Sequence, residues 1–449
     1  MLQLRANKKL LREQLEVQSN KAVTLRDLSN LAARKKQGCS RNDLEATVKL
    51  LQNKYASTVR LLTDENNELR AIFFQDDAMR RSFEDYPEII FIDATYKLLE
   101  TRMSCFLMLV EDGNGESEIV AVGLFGVEDG DTLRWFFNVF KELNKSWNSV
   151  KITMADKDLK ERRIVTELLP QSSLHICAFH TLQTFRREIS VQKLGITKPA
   201  QETALDILQH MVYAKDDDEY QRLHETLKSS SPKAVLDYFE SNWHGIHQEW
   251  VMGMKQSCGN YLNSTNNRAE SINAKLKAIV ERYSSLEDFV TNFFCFIHTT
   301  RKERTNKAAA LFNKKRVITN GDKDLELYSQ LLTPYAFKHV ERHLRISNGL
   351  SVDAHSVASA SDCTCGFRRA MLLPCCHMLA ARGQLGLSNF DHSMCAQRWT
   401  SEHYNKSRGV LLAAEQEEPE TPLLLTSRTV DQFCQAIKSS ERLPWWQEE

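Results

Sequence analysis

Three consecutive apolar runs constrain this chain more than any other feature. EIIFIDATY begins at Glu88, MSCFLMLVED at Met103 and EIVAVGLFGVED at Glu118, and none shows the apolar and polar alternation of a half-exposed strand. Continuous apolar strands lie in a sheet covered on both faces, so helices must flank them. The GNGES segment around Gly113 to Gly115 predicts a hairpin between the second and third runs.

The next segments supply those helices. Asp131 is placed to cap a helix with Trp135, Phe136, Val139, Phe140 and Leu143 on one face. KITMAD predicts a fourth strand, residues 158 to 169 a helix stopped by Pro170, and SLHICAF a fifth strand leading into a helix through Leu182, Phe185 and Ile189. The order βββαβαβα predicts a mixed sheet with helices on its faces, a single α/β unit. With 449 residues, 42% of them hydrophobic, the chain can build such a core and still hold smaller domains.

The expected divisions are a helical N-terminal region at 1–70, the sheet domain at 71–300, a basic helical connection at 301–350, a cysteine module at 351–405 and a tail at 406–449. Ser40 and Asp43 can cap a helix carrying Leu44, Val48 and Leu51 in the first of these. Within the second, residues 200–255 show helical spacing alone and predict an all-helical insertion at about 200–262. A Ser- and Ala-rich linker at 351–361 leads into the module, and the tail carries an acidic run from Glu415 to Glu420. There is no internal repeat.

No apolar run approaches the length that spans a bilayer, and residues 1–30 are too charged for a signal peptide, which predicts a soluble intracellular protein. Eleven cysteines, an odd count with five crowded between 363 and 395, predict reduced thiols and one local metal site rather than a disulfide framework. Lys plus Arg equals Asp plus Glu at 59 each, so the chain as a whole lacks the basic excess of a strong nonspecific nucleic-acid binder. Arg301, Lys302, Arg304, Lys307, Lys314, Lys315 and Arg316 form a local basic stretch that reads either as a DNA contact or as a solvated helix face.

Cys363-x-Cys365 followed by Cys375-x-His377 supplies three thiolates and an imidazole, a complete tetrahedral set for structural Zn²⁺. One-residue spacing places both members of a pair on one side of an extended strand or tight turn, with the intervening residues closing a hairpin. After His377 the sequence turns helical, Gly383 is a candidate stop, and Cys376 points away. Loss of zinc is expected to unfold the segment 363–382 alone.

Asp93 and Asp156 each close an apolar strand, and Glu270 opens a helix whose Ile272, Leu276 and Ile279 point inward. Three converging carboxylates can hold the two divalent cations of phosphodiester cleavage, Mg²⁺ or Mn²⁺. The same acids can also serve as turn caps, with Glu270 and Asn267 at capping-box spacing. Cys177 and His180, at Cys-x-x-His, can share a metal or simply pack.

FIDATYK, MADKD, CAFHTLQTFRRE, NNRAESINAKLK and CTC…LPCCH, with RWTSEHY and Trp399 after them, resemble the Mutator-like transposase domain joined to a SWIM zinc finger, as in the animal zinc finger SWIM domain-containing proteins. The resemblance covers residues 72 to 405. It implies an RNase H-like fold with a helical insertion before the last acid. By the same resemblance Asp93, Asp156 and Glu270 match the catalytic acids of a DDE transposase, and Cys177 with His180 the Cys-x-x-His signature. The expectation is a transposase-derived nuclear protein that binds DNA or chromatin-associated partners. Two alternatives stand beside it: an active metal-dependent nuclease or transposase, and a protein-interaction scaffold without DNA binding.

Overall fold

The computed structural model describes residues 43–155, 159–255, 259–313, 322–350 and 360–410. Seven strands form one mixed sheet: β1 (Ser57–Thr63), β2 (Leu69–Asp76), β3 (Ile89–Thr95), β4 (Ser104–Glu111), β5 (Ser117–Phe125), β6 (Ile152–Ala155) and β7 (Ser173–Ile176). Their spatial order is β1-β2-β5-β4-β3-β6-β7. The first five pair antiparallel, whereas β6 runs parallel to both β3 and β7. This is the RNase H-like mixed sheet that the sequence predicts.

Fifteen helices longer than one turn are described: α1 (Leu44–Lys49), α2 (Asp77–Asp85), α3 (Gly130–Leu143), α4 (Leu159–Leu168), α5 (Ala178–Glu188), α6 (Lys198–Val212), α7 (Asp217–Ser230), α8 (Lys233–Asn242), α9 (Asn267–Ile279), α10 (Leu286–Asn313), α11 (Lys323–Leu331), α12 (Pro334–Ser347), α13 (Gly366–Met371), α14 (Cys376–Gln384) and α15 (Ser401–Ser407). None is both long and apolar enough to cross a membrane.

The strand period of two sorts the apolar runs onto two faces. On β3, Ile90 and Ile92 join Phe136, Phe140 and Val165 of α3 and α4 in one core, while Ile89 and Phe91 join Ile272, Leu276, Phe289 and Phe293 of α9 and α10 in the other. The sheet is therefore buried on both sides, which is why its central strands lack alternation. Residues 200–255 form the expected helical insertion, and its separate core is built around Phe185, Tyr220, Phe239, Trp243 and Trp250.

Three expectations are corrected. Residues 57–76 are not helical but form the β1-β2 hairpin, which extends the sheet beyond β5. The N-cap of α3 is Asp129, whose carboxylate accepts from the Thr132 backbone N–H at 2.9 Å, so Asp131 lies inside the first turn. The segment between the two cysteine pairs is helix α13 rather than a hairpin.

The cysteine module has one small cluster of its own, Cys375, Met378 and Met394, and otherwise shares the core of the sheet. Met371, Leu373, Leu379 and Trp399 belong to the same apolar cluster as Phe74, Leu107 and Phe293. Hydrogen bonds cross at the same place: the Tyr261 N–H donates to the Ala370 carbonyl at 3.0 Å, and Arg398 Nη2 donates to the Glu111 carbonyl at 2.7 Å.

Candidate metal centres and the sheet edge

Cys363, Cys365, Cys375 and His377 meet with their ligand atoms within 4.8 Å of one another. Cys363 Sγ and Cys375 Sγ stand 3.7 and 3.8 Å from His377 Nδ1. Zinc–sulfur and zinc–nitrogen bonds of about 2.3 and 2.0 Å in a tetrahedron require roughly 3.5 Å between such atoms, so the four side chains fit the ion. Two helix starts build the group. Cys365 caps α13 and accepts from the Arg368 N–H at 3.5 Å, and Cys375 is the cap residue of α14, which places His377 within its first turn.

Helix N-termini favour anionic sulfur. The hydrogen bond from Cys375 draws the Cys365 thiol down to about 4, and the same bond pushes Cys375 up because it keeps the shared proton. Cys376 lies outside the group, as expected. It is buried, and its backbone N–H donates to His343 Nδ1 at 3.1 Å. Helix α14 passes through Gly383 and ends at Gln384.

A second group forms where the sheet meets α5 and α9. Cys177 follows β7 and is the cap residue of α5, His180 lies in the first turn of α5, and Glu270 lies near the start of α9. Their ligand atoms also fall within 4.8 Å of one another, and His180 Nε2 is 3.3 Å from Glu270 Oε1. Beside them Lys255 is fully buried; burial pulls its ammonium down to about 7, and it donates to the Ile176 carbonyl.

Asp93 lies on β3 facing α9, where Asn273 Nδ2 donates to its Oδ2 at 2.7 Å. Glu270 precedes Asn273 on the same helix, so these two acids reach one end of the sheet. Asp156 lies outside the described residues. The capping-box role for Glu270 is not realised: the cap residue is Asn266, whose side chain donates to the Ile92 carbonyl at 3.1 Å instead.

The basic stretch has a partner that local sequence does not reveal. Arg301 forms a two-pronged bond to Asp76 at 2.6 and 2.9 Å, Arg304 bonds Glu118 at 2.6 Å, and Lys307 pairs with Glu116. Lys302 is exposed, and Lys314, Lys315 and Arg316 lie outside the described residues. The cationic surface beside the Cys₃His group is a different one. Helix α12 packs on α14 and exposes Lys338, Arg342 and Arg345 at i, i+4 and i+7. These residues stand in the sequence at a readable spacing, although the apolar positions of the helix draw attention first.

A third His and carboxylate group, His224, Glu240 and His244, sits in the insertion. His224 bonds Glu240 at 2.7 Å and stacks on His244 with ring centroids 4.1 Å apart, and His244 Nδ1 pairs with the Tyr220 hydroxyl at 2.9 Å. Stacked rings direct their in-plane lone pairs side by side, so this is a packed polar cluster rather than a converging ligand set.

The fold and the first group together define a class: an RNase H-like domain carrying a Cys₃His site of SWIM type. Residues 48–175 match the family model described as zinc finger SWIM domain-containing protein 1/3, RNaseH-like domain. A mouse protein described as uncharacterized protein ZSWIM9 is 24% identical over 220 residues, 48% of this chain. The match spans 46% of that relative's length. The matched segment is thus an RNase H-like domain of the kind found in SWIM zinc finger domain-containing proteins.

Proposed function

We propose that this protein is a transposase-derived, zinc-organised DNA-binding protein of the nucleus, which contacts DNA through the zinc module and α12 and does not cleave it. The observation that carries the reading is the exposed row of Lys338, Arg342 and Arg345 on the helix packed against the zinc group. Phosphate contact needs unburied cations: Arg301 and Arg304 are held against buried acids of their own chain, whereas Arg345 pairs with Glu341 at 2.7 Å but stays 76% exposed. A metal held by Cys375 and His377 would fix the start of α14, on which α12 packs, and so keep these cations in place.

The test is fluorescence anisotropy with duplex DNA over a salt series. Affinity should fall steeply with salt, and the Lys338→Ala/Arg342→Ala double variant should lower the logarithmic salt slope by about two, one for each cation removed. Asp93→Asn should bind as the wild type does. Negligible affinity at physiological salt would instead favour a protein partner.

The runner-up is a nuclease dependent on Mg²⁺ or Mn²⁺, favoured by the arrival of Asp93 and Glu270 at one end of the sheet. Strand cleavage by the wild type that disappears in Asp93→Asn would establish that reading.

A further inference from the structure

We propose that Cys177, His180 and Glu270 form a second transition-metal site, one that takes Zn²⁺ and leaves a fourth position exchangeable. The inference is independent of DNA binding. It rests on three ligand atoms of different chemistry converging from two helix starts within 4.8 Å of one another.

The convergence is built rather than incidental. Cys177 and His180 stand at the cap and in the first turn of α5, a separation of three that turns both side chains to one side. Helix α9 is then pinned against them by its own cap residue. Asn266 donates its backbone N–H to Cys177 Sγ at 3.2 Å and its side-chain amide to the Ile92 carbonyl at 3.1 Å. The Ala178 N–H donates to the Ser264 carbonyl at 3.1 Å, which fixes the segment ahead of α9. These bonds bring Glu270 Oε1 to 3.3 Å from His180 Nε2 across ninety residues of sequence.

The donor set selects the ion. A thiolate and an imidazole favour zinc over Mg²⁺, which prefers oxygen ligands and retains its waters. Three protein ligands leave zinc one position for water or an incoming group. Exposure agrees with that count: Cys177 is fully buried, whereas the His180 and Glu270 side chains are 21% and 31% exposed, so the remaining position opens to solvent. Glu270 in this role is held beside His180 and is withdrawn from a carboxylate cluster with Asp93.

The experiment is elemental analysis of the full chain after zinc loading and removal of free ion, read together with the Co²⁺ absorption spectrum. His180→Ala and Glu270→Gln should each retain one zinc equivalent fewer than the wild type and lose the cobalt bands of a single-thiolate site. Circular dichroism checks that each variant folds, and two partly exposed positions guard against the loss of one. Asp93→Asn should keep the full count. Equal zinc counts in the wild type and both variants would overturn the proposal, as would a second equivalent that vanishes in Asp93→Asn.

Discussion

Arg398 Nη1 donates to Glu88 Oε2 at 2.7 Å, joining the cysteine module to the residue that precedes β3. The same guanidinium lies 3.7 Å from the Tyr261 ring centroid, and its Nη2 donates to the Glu111 carbonyl at 2.7 Å. Arg398 is 3% exposed, so the charge is held by these partners and not by water. Removing the guanidinium takes the donor from the Glu111 carbonyl and from Glu88, which is 24% exposed and keeps some water, at a cost of about 1.5–3 kcal/mol. Arg398→Ala should therefore lower unfolding stability by about that amount in urea titration, as a shift of the main transition.

The hairpin tip facing Arg398 leaves no space. A Cβ on Gly113 would stand 2.3 Å from the Arg398 carbonyl oxygen, backbone that cannot rotate aside. Gly113→Ala should cost about 1–3 kcal/mol through the forced shift. Hydrogen exchange should place the loosening at both the β4-β5 turn and residues 396–400; a change confined to the turn would count against this contact.

Zinc removal bears on the same junction. Sequence reading expects a local loss around 363–382, yet Met371, Leu373, Leu379 and Trp399 share their core with the sheet. Zinc present at a hundredfold excess over its dissociation constant stabilises the folded state by about 2.7 kcal/mol. Chelation should therefore lower the midpoint of the whole thermal transition. A separate early step with an unchanged main transition would restore the local picture.

What was legible in the sequence follows from how local each signal is. Strands β3 to β5 were readable because burial on both faces leaves uninterrupted apolar runs, and the Cys₃His group because both pairs are short-range. The β1-β2 hairpin escaped: β1 alternates in exposure, with Arg60 outward, and its residues continue a helix-like spacing from Leu44 to Leu51. The basic stretch could not be judged from its own residues, since Asp76, Glu116 and Glu118 oppose it from strands far back in the chain. Glu270 is legible in the sequence as an acid, but its contact with His180 depends on how α9 docks.

Acid should weaken the network at the sheet's hairpin. Glu118 is buried between Arg304 and Arg408, at 2.6 and 2.5 Å. Burial alone would raise its carboxyl, but the two guanidiniums more than offset that, so its pKa falls below the usual value. In the unfolded chain the same carboxyl takes up a proton near its ordinary value, so between the two values the unfolded state binds more protons. The stabilisation is thus fully present above the unfolded pKa and drains away as pH falls through the folded one. Urea titrations of the wild type should lose stability as pH drops below the ordinary glutamate range. Glu118→Gln should start less stable at neutral pH and show a shallower loss over that window; parallel curves would remove Glu118 as a source of the acid sensitivity.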